Sequence, residues 1–237
     1  IKHYRRKSNM KLTKTLAVTG LATALMITGS GIVSADETAP KAEKGSASVI
    51  LSGSNGGTPP EIIDPVDPVD PENPGEKPDP GETGQTGPLT IDYVPHFDFG
   101  SVEIGEKSTV TAATNAKASV QVSDRRASGE GWSLTASLSE FTDAEDKTQE
   151  LKGVSITLPA GKATTTEGNV SPEAVTLAAD LKANGESATI FKADENAGLG
   201  SWANVITPGD VKLSVGSGNL AGDYSATMTY TLANAPK

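Results

Sequence analysis

Residues 224–232 alternate without a break. Tyr224, Ala226, Met228, Tyr230 and Leu232 are aromatic or apolar, while Ser225, Thr227, Thr229 and Thr231 are small and polar. A period of two belongs to a strand with one face on a core and the other in water. The pattern recurs. Trp132, Leu134, Ala136 and Leu138 point one way and Ser133, Thr135 and Ser137 the other. Val154, Ile156 and Leu158 form another run, and Val211, Leu213 and Val215 a further one. Val102-x-Ile104, Val120-x-Val122, Val175-Thr-Leu177 and Ala188-Thr-Ile190-Phe191 are shorter candidates. Turn residues separate the runs: Gly100, Gly105, Ser128-Gly129, Gly161, Gly168-Asn169, Asn184-Gly185, Pro208-Gly209 and Gly222. No segment has helical periodicity, and the polar stretch 140–151 has room for one helical turn at most. Short strands at this spacing predict an all-β domain, either an antiparallel β-sandwich or a barrel-like sheet.

The front of the chain has a different character. Lys2, Arg5, Arg6, Lys7, Lys11 and Lys14 precede an apolar, small-residue run at about 16–33. Val33-Ser34-Ala35 then fits the small-x-small cleavage rule. Residues 1–35 therefore read as a signal peptide, with Asp36 as the first residue after cleavage. Met10-Lys-Leu-Thr-Lys resembles an ordinary start, so 1–9 read as a mis-called extension. Thr19, Gly20, Thr23, Thr28, Gly29, Ser30 and Gly31 dilute the apolar run, which argues against a retained membrane span.

Residues 36–57 are small, polar and aperiodic apart from Val49-Ile50-Leu51, and are expected to be disordered. Residues 58–88 form a Pro/Asp-rich linker built around Asp64-Pro-Val-Asp67-Pro-Val-Asp70-Pro. Proline at this density favours polyproline II, and acidic self-repulsion extends it, giving a reach on the order of 90 Å. The repeated Asp-Pro lacks the glycine turn and closing bidentate acid of a calcium loop. The domain proper is expected at 89–237. Six of the 20 basic residues fall in 1–35, which holds no acids, so 36–237 carries 14 basic against 30 acidic residues, a net of −16. That charge argues against nucleic acid and anionic lipid as partners. There is no cysteine, so an exported domain must be stabilised by its core alone.

Five segments in order give a resemblance. Gly87-Pro-Leu-Thr-Ile-Asp-Tyr93-Val-Pro-His-Phe97-Asp-Phe99-Gly100 is the first. The second is Val120-Gln-Val122-Ser-Asp124-Arg125-Arg-Ala-Ser-Gly129-Glu-Gly131-Trp132-Ser-Leu134. Leu151-Lys-Gly153-Val, Gly200-Ser-Trp202 and the stretch from Tyr224 to Pro236 complete the set. In this order they resemble the WxL domain, a cell-wall-binding module of low-GC Gram-positive bacteria. The departure is Tyr230, where the family generally has tryptophan. The resemblance implies a secreted, non-catalytic surface protein that attaches non-covalently to peptidoglycan. It also implies company, including DUF916-type and sortase-anchored surface proteins. The ending Ala-Pro-Lys carries no sortase motif or hydrophobic tail, so non-covalent attachment is the expected mode.

The candidate binding residues are Trp132, Leu134, Trp202, Tyr230, Leu232, Asp124 and Arg125. Leu134 and Leu232 fit core positions of half-buried strands. Trp132 and Tyr230 fit either the core or stacking on sugar faces. Trp202, in a Gly-rich stretch, is expected in an exposed loop and as a wall contact. Asp124 and Arg125 with Arg126 fit either a surface ion pair or contacts to peptide-stem carboxylates. His96 fits a structural or surface role. No serine or acid has a recognisable partner for nucleophilic catalysis, no metal-ligand cluster is legible, and no cofactor is expected. A wall hydrolase using two carboxylates is the enzymatic rival, and docking onto a protein partner by strand addition is the binding rival.

Overall fold

The computed structural model describes residues 47–63, 81–114 and 118–234. The apolar run at 16–33, the cleavage site and the Asp-Pro repeat lie outside them. The first strands in chain order are β1 (Leu89–Tyr93), β2 (Thr109–Ala112), β3 (Ala118–Asp124), β4 (Trp132–Leu138), β5 (Thr142–Asp143), β6 (Ser155–Leu158) and β7 (Lys162–Thr165). Then come β8 (Val175–Thr176), β9 (Ala179–Lys182), β10 (Ala188–Ala193), β11 (Gly200–Ile206), β12 (Lys212–Val215), β13 (Tyr224–Ser225) and β14 (Met228–Ala233). A single 3-10 turn, Pro208–Asp210, is the one helical element among the described residues.

All strand pairs between these elements are antiparallel. They form three four-stranded sheets with orders β1-β3-β11-β7, β14-β4-β10-β8 and β2-β12-β6-β9, and a ribbon of β13 with β5. The expected all-β antiparallel class is what the structure has. The sheets surround one core, to which Val120, Val122, Trp132, Leu134, Ile156, Leu181, Ile190, Phe191 and Leu213 contribute. Hydrogen bonds stitch the seams. Asn184 N donates to Leu138 O (2.8 Å) where the second sheet meets the third. Thr176 Oγ1 donates to Gly161 O (2.7 Å) where the first meets the second.

The inward positions of β4 (Trp132, Leu134, Ala136 and Leu138) are all buried, as the alternation requires. Three local expectations differ. Residues 102–104 are not a strand. Flanked by Gly100 and Gly105, they belong to an irregular segment tied down by Thr114, whose N donates to Asp98 O (2.7 Å). The continuous alternation at 224–232 is split between β13 and β14. Its partner bends at the same point: Ser139 N donates to Thr227 O (3.0 Å), and Thr227 N to Ser139 Oγ (2.8 Å). The chain therefore crosses from β5 to β4 at Thr227, and one alternating run serves two sheets. The Gly-rich stretch around Trp202 is β11, a central strand paired on both sides.

Every residue of β3 is buried. Ala118, Val120 and Val122 face the core. The opposite, polar face is covered by residues that composition assigns to the disordered segment and the linker. Ile63 N donates to Gln121 Oε1 (2.8 Å), and Gln121 Nε2 donates to Glu61 O (2.9 Å). Ser54 N donates to Arg125 O (2.8 Å), and Gly87 N to Gly56 O (2.9 Å). On the far side, 81–85 runs beside β1, with Thr83 N donating to Asp92 O and Val94 N to Gly81 O (2.9 Å each). Glycine at 56 allows the close approach, since a Cβ there would lie 1.9 Å from Gly87 O. The intervening 64–80 lies outside the described residues.

Asp143, at the end of β5, organises the ribbon. It accepts from the backbone N of Glu145 (2.9 Å), Asp146 (2.9 Å) and Asp223 (3.1 Å). These bonds favour the carboxylate and hold it below its ordinary value of 3.8. A depressed folded-state pKa adds stability above the unfolded value, and that stability is lost as pH falls through the folded value. Asp143→Ala is therefore expected to lower Tm at pH 7, and its deficit to shrink as pH drops below about 3.8. Thermal unfolding of both proteins from pH 7 to pH 2 checks this; a deficit constant with pH would refute it.

Candidate functional site

The two alternating motifs are neighbours. β14 pairs with β4 so that Leu232 lies opposite Leu134 and Tyr230 opposite Ala136. Alanine opposite the ring leaves space for it on the sheet. On its other side β4 pairs with β10, where Phe191 lies opposite Leu134. Trp132 packs edge-on against Phe191, with ring centroids 4.9 Å apart. Its Nε1 donates to Gly198 O (3.1 Å), so the buried indole is satisfied. Gly198 is needed there: its φ is +65°, and a Cβ would lie 2.2 Å from the Ala193 side chain and 3.0 Å from the indole nitrogen. Trp132 and Leu134 are thus core residues with no exposed surface.

Trp202 is a correction. It is 4% exposed on β11, and its Nε1 donates to Leu199 O (2.9 Å). The glycines around it shape the approach to a strand: Gly198 and Gly200 take positive φ. A Gly-rich neighbourhood therefore marks a tight turn into the sheet here, and the indole points inward.

Asp124 and its two arginines also face the protein. Arg126 Nε and Nη2 donate to the two carboxylate oxygens of Asp124 (2.9 and 2.7 Å), a bidentate fork. The same guanidinium donates to Gly131 O (2.7 Å), Asn234 O (3.3 Å) and Glu130 (3.1 Å). Asp124 raises the affinity of Arg126 for its proton. Arg125 donates to Thr58 O and Gly87 O (2.8 Å each). The side chain of Asp124 is fully buried and that of Arg126 is 12% exposed, so the surface ion pair is instead a latch. It ties the end of β3 to the entrance of β4 and the exit of β14.

Tyr230 and Leu232 are half-buried on β14, the edge strand of its sheet. Desolvation holds the Tyr230 phenol above its ordinary pKa, so it stays a neutral donor and acceptor. Tyr230 lines a cavity of about 1100 Å³ between the 94–104 segment and the β13–β14 strands. Core side chains including Leu138, Phe141 and Ile156 form its floor. Phe97 and Phe99 stand above, half-buried, with centroids 6.4 Å apart and planes tilted by 35°. Tyr224, Met228 and Tyr230 form the opposite side, and His96, Asp98 and Asp223 are polar groups along the lining. Tyr224 is fixed by hydrogen bonds to Gln149 and Leu220 O. The cavity gathers aromatic faces beside polar groups, which suits a ligand with alternating apolar and hydroxyl-bearing surfaces. The pattern Phe97-x-Phe99 between Pro95 and Gly100 is a sequence signal that could have singled these rings out.

Among the described residues no three His, Cys, Asp or Glu side chains gather as metal ligands would. No described helix is long and apolar enough to cross a membrane.

The fold is thus an all-β module whose two motif strands pair with each other, with an aromatic cavity beside the second. The chain belongs to the WxL domain surface cell wall-binding family, whose model matches residues 37–236. The match begins well before β1 and takes in the segment lying on β3. Comparisons with curated proteins and with solved structures found no significant match.

Trp202→Ala is expected to cost about 3–5 kcal/mol, the usual range for deleting a buried aromatic. At about 2–4 °C per kcal/mol for a domain this size, Tm should fall by roughly 10 °C. Calorimetry checks this, and an unchanged Tm would return Trp202 to the surface.

Proposed function

We propose that this cell wall-binding surface protein attaches non-covalently to peptidoglycan through the cavity between 94–104 and β13–β14. The carrying observation is which aromatics remain available. Trp132 and Trp202 are buried and hydrogen-bonded internally. Phe97, Phe99, Tyr224 and Tyr230 line the cavity, where ring faces can stack on sugars while His96, Asp98 and Asp223 lie near the hydroxyls. The role is binding without catalysis. Tyr230, the departure from the family's usual tryptophan, falls in this site and has less ring area to offer. Export and assembly with DUF916-type or sortase-anchored surface proteins complete the proposed setting.

A second reading has its own observation. Among the described residues β14 is hydrogen-bonded to a strand on one side only, and it borders the cavity. A protein partner adding a strand there would make wall association indirect.

Sedimentation of the chain from Asp36 onward with protein-stripped peptidoglycan separates the two. Binding is expected, and Phe99→Ala is expected to weaken it about tenfold, ~1.4 kcal/mol. Its Tm should shift less than that of Trp202→Ala, because Phe99 lies outside the sheets. No sedimentation of the parent protein would sink the peptidoglycan reading, and capture on an isolated partner ectodomain would then favour strand addition. Unchanged sedimentation of Phe99→Ala would remove the cavity from the site.

A further inference from the structure

Residues 53–63 touch β3 as a bound peptide would. The amide of Gln121, fully buried, faces the backbone of this segment with both its polar atoms. Its Oε1 accepts from Ile63 N, and its Nε2 donates to Glu61 O. A carbonyl at one residue and an N–H two residues on are what a neighbouring strand would engage, so one side chain substitutes for a strand edge. The orientation of that amide is dictated from behind. Asp92 accepts from Gln121 Nε2 (3.0 Å), Ser123 Oγ (2.6 Å) and Thr90 Oγ1 (2.6 Å). A carboxylate can only accept, so Gln121 must turn its nitrogen toward Asp92 and its oxygen toward Ile63. Further along, Arg125 donates to Thr58 O, and the backbone of Gly56 meets that of Gly87. Among the described residues the segment's bonds to the sheet run through its own backbone, while its Ile62 and Ile63 side chains are half-buried.

The two ends of the stretch 64–80 return to one place. Ile63 is held by Gln121, Gly81 by Val94, and Gln121 lies opposite Tyr93 in the sheet. Ile63 and Gly81 are therefore held on the same sheet.

We propose that the polar face of β3, with the adjoining edge at Gly87, is a peptide-binding site whose ligand is the chain's own segment 53–63. The segment is a strap that docks reversibly and needs no covalent link to stay in place. Seated, it begins at the Arg125–Arg126 corner beside the end of β14, where Ser54 N donates to Arg125 O. Released, it moves the exit to Gly81 and returns 64–80 to the reach of the protein. This inference does not depend on the nature of the wall ligand.

Two adjacent glycines provide a matched pair of variants. Gly56 has φ +59°, and a Cβ there would lie 1.9 Å from Gly87 O and 2.6 Å from the Arg125 guanidinium. A Cβ at Gly57 would meet nothing within 4 Å. Neither residue belongs to a strand. In the chain from Asp36 onward, a specific protease site inserted between Glu72 and Asn73 allows the strap to be severed after folding. On native gel filtration the severed N-terminal piece is expected to co-elute with the domain, in the parent and in Gly57→Ala. Gly56→Ala should release it, with retention at least tenfold weaker, while the far-UV spectrum of the domain stays unchanged. Separation of the pieces in the parent would overturn the proposal. So would equal retention by Gly56→Ala and Gly57→Ala, or a complex of twice the expected mass, which would mean the strap seats on a second copy.

Discussion

The fork between Asp124 and Arg126 is the interaction on which the arrangement of the two motifs depends. Asp124 ends β3, and Gly200 at the start of β11 lies opposite it. Arg126 carries its charge to the carbonyls of Gly131 and Asn234, one just before β4 and one just after β14. A single guanidinium thus gathers three strand ends, one of them 108 positions away in sequence. Losing Arg126 would leave the fully buried Asp124 carboxylate without its partner, a cost of about 3–5 kcal/mol. The neighbouring Arg125 turns the other way and holds Thr58 and Gly87. Two adjacent arginines therefore divide the work, one closing the core and the other receiving the segment that crosses β3.

Much of this was legible in the chain. Strict alternation in 132–138 gave β4 its inward face, and the second motif its place as a strand. Their pairing follows from burial, since each needs a neighbour for the same apolar face. What escaped the pattern did so for physical reasons. β11 mixes Trp202, Asn204 and Ile206 on one side, and a buried asparagine interrupts the apolar period. β3 shows the opposite failure. Its Ser119, Gln121 and Ser123 alternate with apolar residues, yet all are buried: a backbone segment covers that face and bonds to Gln121, while Ser123 bonds to Asp92. Periodicity reports polarity, and polarity cannot distinguish water from a covering peptide.

The candidate site was legible only in part. Tyr230 was visible as a departure in the second motif, and the structure brings it to the cavity lining. Trp202 was misplaced because glycines before a tryptophan look like a loop, when here they make the turns that let an indole enter the sheet. Phe97 and Phe99 belong to the irregular 94–104 segment, and no local period encodes their place on the cavity.

The pairing of β4 with β14 also bears on how fast the domain can close. Thr135 and Thr231 meet across 96 positions of sequence. Until the last strand arrives, β4 presents a free edge and the floor of the cavity is open to water. Contacts this distant in sequence impose slow closure, because loop entropy is lost before pairing returns anything. The side of the cavity that β14 supplies thus rests on a pairing between two motifs widely separated in the domain.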